Sequence, residues 1–300
     1  MGPGQGGSAA GSKPPFIPSF FIIGPPRTGT TWLHDVLSKH ALLPSPSKET
    51  RFFDTHFHRG LEWYRAHFAR PAGNRPVGEI APTYFASPDA RERIAATAPD
   101  ARIVCIFRNP VDRIVSLYRI KRAYGMIPWS FEQAIVRDPE LIASGLYATH
   151  LKAWFNTLGS ERVLPTVYED LRDRPQAFVD TITQFIGIPP FVLTPSQIRR
   201  VHGSESMTLP RSYYRARTAN AVADWFKAQR LDRVVATLKN SPIRRFILGG
   251  GQAFADIPED LSTALCDIFR PEVEELEVLL NRDFTAWKTA DFAVRALAAS

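Results

Sequence analysis

The stretch PSFFIIGPPRTGTTWLHDVLSKH, residues 18–40, decides the fold. An apolar run, 18–24, ends in Gly24. A loop of Pro, Arg, Thr and Gly follows, and residues 32–40 then place Leu33, Val36 and Leu37 at helical spacing. The order is strand, glycine-containing loop, helix. Gly24-Pro25-Pro26-Arg27-Thr28-Gly29-Thr30-Thr31 has the G-x-x-x-x-G spacing of a phosphate-binding loop, with two hydroxyl residues behind it. Backbone N–H groups and the positive end of the helix dipole make such a loop a seat for a phosphate-like anion. The Lys of the usual GK[ST] motif is absent. Thr30 stands in its place, and the positive charge is Arg27, inside the loop. The same residues also suit a tight structural turn with no ligand.

Further strands are predicted at 76–80 and 101–107, where continuous apolar runs suit a parallel sheet covered on both faces. Residues 162–168 read as another strand, and Pro165 makes it an edge candidate. Pro110 opens a helix carrying Ile114, Val115, Leu117 and Tyr118, and 146–158 is an amphipathic helix. Alternating strands and helices predict an α/β fold: a P-loop-type parallel sheet flanked by helices on both faces. After about residue 190 the pattern changes. Residues 191–217 read as a long loop, with helices near 219–239 and 259–280 making a helical C-terminal portion. The second has Leu261, Leu265, Ile268, Val273, Leu276, Leu279 and Leu280 on one face. We divide the chain into a flexible leader (1–15), one α/β domain (16–290) and a tail (291–300).

Composition narrows the function. Of 300 residues, 44% are hydrophobic and 22% charged, which excludes wholesale disorder. The formal charge is +7, and 29 of the 37 basic residues are Arg. Arg grips phosphate and sulfate through two N–H groups at once, so the excess favours an anionic ligand, although a compositional bias gives the same count. Lys and Arg never run longer than two, which argues against a nucleic-acid partner. Cys105 and Cys266 are two cysteines in apolar surroundings, so neither a disulfide framework nor a structural metal site is expected. Residues 1–15 are Gly/Ser/Pro-rich without an apolar centre, and 16–23 is too short to span a bilayer. A cytoplasmic protein without stable membrane insertion is the expectation.

A second arginine-serine element stands at 108–119, RNPVDRIVSLYR. Arg108 ends the 101–107 strand, and Ser116 lies two turns into the next helix. A guanidinium and a hydroxyl would meet a second phosphate there; a capped helix start with solvated arginines fits the same residues.

Taken in order, GPPRTGTTWL and RNPVDRIVSLY resemble the sulfotransferases that use 3′-phosphoadenosine 5′-phosphosulfate. Four more segments resemble the heparan sulfate branch of that family: Lys48-Glu49-Thr50-Arg51-Phe52-Phe53, Gly78-Glu79-Ile80-Ala81-Pro82-Thr83-Tyr84, Gly145-Leu146-Tyr147 with Leu151 and Trp154, and Tyr168-Glu169-Asp170-Leu171. The likeness covers residues 18–190. It implies that Arg27, Thr28, Gly29, Thr30, Thr31 and Trp32 hold the 5′-phosphosulfate, and that Arg108 and Ser116 hold the 3′-phosphate. Pro210-Arg211-Ser212 would stand in for the branch's basic, Gly-containing cofactor loop, which makes Arg211 a further cofactor residue.

The resemblance also assigns the chemistry. Sulfuryl transfer needs charge stabilisation and a base for the acceptor proton. Glu49 is the implied base, and Lys48 would stabilise the bridging oxygen or the sulfuryl charge. His56, His58 and His150 are rivals for the base, with His150 more suited to a structural place on its helix. Tyr118, Tyr124 and Trp129 suggest a loop over the site, Trp63, Tyr64 and Tyr84 an acceptor cleft, and Arg119, Lys121 and Arg122 an anionic acceptor. Small molecules and carbohydrates are both open as acceptors. A P-loop nucleotide or small-molecule kinase and a non-catalytic nucleotide-binding module are the alternatives. A kinase would need magnesium, and no carboxylate follows the 101–107 strand to hold it.

Overall fold

A computed structural model describes residues 17–69, 75–202, 208–228 and 250–289. In chain order the elements are β1 (Phe20–Ile22), α1 (Thr30–Leu37), α2 (Gly60–Arg65), β2 (Gly78–Ile80), α3 (Pro88–Thr97), β3 (Arg102–Phe107), α4 (Pro110–Ala123), α5 (Phe131–Arg137) and α6 (Pro139–Ala143). They continue with α7 (Tyr147–Leu158), β4 (Val163–Val167), α8 (Tyr168–Asp173), α9 (Pro175–Ile186), α10 (Pro195–His202), β5 (Thr208–Pro210), α11 (Tyr213–Ala228), β6 (Gly250–Ala253) and α12 (Glu259–Leu280). The leader 1–15 and the tail 291–300 lie outside the described residues.

Four strands form one parallel sheet in the order β2-β1-β3-β4. Alternate residues of each strand face opposite sides, and both sides are dry. Phe21, Ile103, Cys105 and Phe107 join one core with residues of α3, α4, α7 and α12. Phe20, Ile22, Val104 and Ile106 join a second core with Trp32, Leu33, Val36 and Leu37 of α1 and with Phe178, Val179 and Ile182 of α9. Each such buried side chain contributes about 2 kcal/mol, which is why the strands read as unbroken apolar runs. The edge reading of Pro165 holds among the described strands: β4 pairs only with β3, and Cys105 lies opposite Pro165.

Local signals fix the helix starts. Pro110 is the first residue of α4, and the Asn109 side chain accepts from the N–H groups of Val111 (2.9 Å) and Asp112 (3.2 Å). Ser87 caps α3 in the same way, accepting from Ala90 N–H. α1 begins at Thr30, two residues earlier than its apolar spacing indicates, and ends at Leu37.

Several expectations are corrected. Residues 191–217 are not one loop: they hold α10, the short strand β5 and the start of α11. The polar composition of α10 hid it, because this helix covers the Trp32 edge of the core instead of entering it. The helix expected at 219–239 starts at Tyr213 and is described to Ala228; 229–239 lie outside the described residues. α12 has the expected span, but Ile268 is 49% exposed, and the buried face is Ser262, Leu265, Cys266, Phe269, Val273 and Leu276. None of the described helices is long and apolar enough to cross a membrane.

Gly24 closes β1 where β3 passes against it. A Cβ there would lie 2.5 Å from the Ile106 backbone nitrogen. Gly24→Ala should therefore push β1 and β3 apart and cost about 1–3 kcal/mol. Thermal unfolding followed by circular dichroism should show a melting temperature lower by several degrees; an unchanged midpoint would contradict this packing.

Candidate active site

The loop after β1 turns through two residues of positive φ, Arg27 (80°) and Gly29 (88°). Gly29 is required twice over: its φ favours glycine, and a Cβ would meet Leu171 at 2.7 Å. Thr28 is buried and donates to the Pro25 carbonyl (2.9 Å), which closes the loop on itself. The first bond inside α1 runs from Leu33 N–H to the Gly29 carbonyl (3.1 Å). The N–H groups of Thr30, Thr31 and Trp32 precede it, at the positive end of the helix. Trp32 can serve an anion only through that backbone. Its indole is buried in the core and donates to the Gln197 carbonyl of α10 (2.9 Å).

The second element meets the first. Arg27 Nε donates to Ser116 Oγ at 2.9 Å, across 89 residues of sequence. Arg108 Nη1 reaches the Arg27 carbonyl at 3.4 Å, and its guanidinium lies 4.9 Å above the Tyr168 ring. Tyr147 donates to the Arg108 carbonyl (2.8 Å) and sets that backbone. Asp112, 4.0 Å from Arg108, is held above the usual carboxylate range by burial, with Arg108 pulling the other way.

The third element is the 48–53 segment. Lys48 Nζ donates to Thr31 Oγ1 at 3.0 Å, so the Lys48-Glu49 pair sits at the start of α1. Burial holds the Lys48 ammonium below its ordinary pKa, opposed by Glu49 and Asp35 and reinforced by Arg27. His34 is lowered for the same reasons, burial first and Lys48 second. Ser47 Oγ donates to the Glu49 carbonyl (2.9 Å), and Thr50 is buried behind it. The turn Phe52–His56 then carries the chain away, with Phe52 and Phe53 fully buried. His56 lies at its end, its ring packed edge-on against Trp63, and burial together with Arg59 and Arg51 favours its neutral form. His58 is exposed in the next turn. His150 is structural: Nε2 bonds the Ala143 carbonyl (2.9 Å) and the ring packs on Phe85.

Other expectations change. Tyr64 and Tyr84 do not line a cleft; both are buried, and their hydroxyls donate to Glu79 (2.9 and 3.2 Å). Trp63 is half-buried against Phe52, with Arg59 5.0 Å above its ring. Lys121 does not face an acceptor, because it is buried in ion pairs with Asp138 and Glu140, both at 2.6 Å. Tyr118 is tied to the Trp129 carbonyl (3.2 Å), and Arg119 lies 5.8 Å from the Phe254 ring. Arg211 is exposed at the end of β5, in an open groove with Leu209, Pro210, Gly251 and Gln252. β5 pairs antiparallel with β6 and packs along α4, the helix that carries Ser116. Reading the sequence missed the Gly250–Ala253 side of that ribbon. It also gave Tyr147 and Glu79 no role, although a carboxylate in the middle of an apolar strand was the available signal. Among the described residues no group of three His, Cys, Asp or Glu side chains is arranged to hold a metal.

A parallel sheet with a glycine-containing loop after its first strand, joined by a side-chain bond to an arginine-serine element after β3, defines a P-loop-type α/β protein without the triphosphatase lysine. The profile of the sulfotransferase domain family matches residues 18–214, and the chain belongs to that family. It is similar to the bifunctional heparan sulfate N-deacetylase/N-sulfotransferase 2 of Bos taurus, with 36% identity over 199 residues, 59% of this chain and 22% of that protein. It is likewise similar to enzyme 1 of the same name from Mus musculus, with 33% identity over 195 residues, 57% of this chain and 22% of that protein. The chain thus spans only 22% of the length of these relatives. Its fold is similar to that of a sulfotransferase from Alicyclobacillus acidocaldarius, with a TM-score of 0.66 and 23% identity over 91% of this chain and 99% of that one.

Glu79 gives this site a pH signature. Burial pushes its carboxyl up to about 7 from 4.5, against four hydrogen bonds that pull it down. A raised carboxyl pKa means that its contribution is complete below pH 4.5 and is lost as the pH rises through about 7. Between pH 5 and 8 the wild type should therefore lose up to about 3 kcal/mol that Glu79→Gln does not lose. Melting curves of the two proteins across that range check it; parallel curves would show that Glu79 does not titrate there.

Proposed function

We propose that this chain transfers a sulfuryl group from 3′-phosphoadenosine 5′-phosphosulfate to a hydroxyl or amine of an acceptor, with Glu49 as base. The observation that carries the reading is the bond from Lys48 Nζ to Thr31 Oγ1. It seats the Lys48-Glu49 pair beside the anion loop, while Arg27–Ser116 joins the second anion element to the same loop.

The residues suit such a donor. Arg27, Lys48 and the N–H groups of Thr30, Thr31 and Trp32 would hold its 5′ end, and Arg108 with Ser116 its 3′-phosphate. When bound, the donor supplies an activated sulfuryl group whose leaving group is a phosphate. Glu49 takes the acceptor proton as the new S–O or S–N bond forms. Lys48 and Arg27 face the negative charge that develops on the leaving phosphate oxygen. Arg211 would complete the 3′ side from β5, next to α4.

The acceptor is a carbohydrate in this reading. The relatives' names specify heparan sulfate, and the surface beyond Glu49 suits a saccharide: Trp63, Phe57 and His56 lie beside Arg59 and Arg93. Residues 16–290 would act as one catalytic unit.

Calorimetry should show 3′,5′-adenosine bisphosphate binding far more tightly than ATP. Arg108→Ala should weaken it by about 2 kcal/mol or more, the scale of a charge-assisted contact in a half-buried site. Equal binding of ATP would return the kinase reading, as would activity lost to a chelator and restored by magnesium. Glu49→Gln should keep bisphosphate affinity and lower turnover by roughly 10²–10⁴. Near-normal turnover would remove Glu49 as the base and bring His56 and His58 forward.

A further inference from the structure

We propose that Glu79 is a positioning residue for the base, acting on Glu49 through Thr50. This rests on the reading of Glu49 as base and adds a device to it.

Glu79 is the middle residue of β2, in register with Phe21 of β1, and its side chain is fully buried. One carboxylate oxygen accepts from Thr50 N–H (2.8 Å) and Thr50 Oγ1 (2.6 Å). The other accepts from Tyr64 (2.9 Å) and Tyr84 (3.2 Å). The bonds then run back into the same turn. Thr50 Oγ1 accepts from Phe52 N–H at 3.1 Å, and the Tyr84 hydroxyl accepts from Phe53 N–H at 3.3 Å. Between them, Arg51 is held at φ 52°, ψ 30°, the left-handed region that non-glycine residues seldom adopt. Glu79 therefore pins both ends of a strained turn whose first neighbour is Glu49.

A carboxylate is the side chain for this task. When ionised it only accepts, on two oxygens, so four donors can converge on it and each is fixed in direction. Burying it is costly unless such donors are present. A fully satisfied network of this kind is rigid and selects one arrangement of the turn. The base depends on that arrangement. A shift of about 1 Å in a reacting group can cost roughly 100-fold in rate.

A role in folding alone makes a different forecast. It would lower the melting temperature and weaken nucleotide binding, with no selective effect on turnover of the folded protein. The test measures kcat, KM and bisphosphate Kd for Thr50→Val, Glu79→Ala and Glu79→Gln, each in the wild type and in Glu49→Gln. Thr50→Val keeps the volume and the backbone bond, and it carries the test if Glu79→Ala does not fold. We expect kcat to fall about 10-fold for Thr50→Val and about 100-fold for Glu79→Ala, with KM and Kd within about two-fold. Glu79→Gln should recover most of the loss, since its amide oxygen can still accept from Thr50. In the Glu49→Gln background both losses should shrink to under about two-fold, the mark of residues acting as one unit.

Losses of equal size in both backgrounds would overturn the inference, as would intact kcat in Thr50→Val and Glu79→Ala. Losses of kcat and Kd in parallel would overturn it too. These results would leave Glu49 standing if Glu49→Gln alone is slow. A Glu49→Gln protein with near-normal turnover would instead overturn the base reading itself, and this inference with it.

Discussion

The candidate site depends on the two left-handed residues of the anion loop, Arg27 at φ 80° and Gly29 at φ 88°. They turn the chain from β1 into α1 within a few residues, which leaves the first N–H groups of the helix at the end of the loop. The same bend carries the Arg27 side chain to Ser116. Gly29 can hold this shape without strain, while Leu171 and Tyr168 close over it from the segment after β4. Arg27 cannot, and it carries a cost of about 1 kcal/mol or more. Such a cost persists only where the surroundings fix it, and the Ser116 and Arg108 bonds do so.

The electrostatics follow from that geometry. Arg27, Lys48 and Arg108 converge from three separate elements on one loop. Burial and the Arg27 charge already press the Lys48 ammonium towards its neutral form. An anion in the loop would relieve that pressure, since its charge offsets both the like-charge repulsion and the lost hydration. Carboxylates stand close by as well: Glu49 and Asp35 act on Lys48, and Asp112 lies 4.0 Å from Arg108. Arg27, Lys48 and Arg108, with the first N–H groups of α1, suit an anion there.

Much of this was legible in the sequence. The 18–40 stretch set the strand, loop and helix because apolar runs and helical spacing are local signals, and the sheet order then placed β1 between β2 and β3. The pairing of Arg27 with Ser116 was legible only as two motifs; their contact spans 89 residues and is a tertiary fact. Buried polar groups were the main blind spot. Arg113 is fully buried, with its guanidinium donating to Ser144 (2.9 Å) and the Leu141 carbonyl (2.8 Å), and Lys121 is buried against Asp138 and Glu140. Read along the chain, both look like solvated charges on α4. Tyr64 and Tyr84 misled in the opposite direction, because an aromatic near a site looks like a cleft wall until its hydroxyl partner, Glu79, is known. Residues 191–212 read as a loop because α10 is polar overall and lays only Ile198 and Val201 on the core, and β5 is three residues long.

The most direct measurement is a crystal structure of the chain with 3′,5′-adenosine bisphosphate. The account predicts the 5′-phosphate against Arg27–Thr31 with Lys48 Nζ beside it, and the 3′-phosphate on Arg108 and Ser116. A nucleotide bound with its 3′-phosphate away from Arg108 and Ser116, or bound outside the loop, would contradict it.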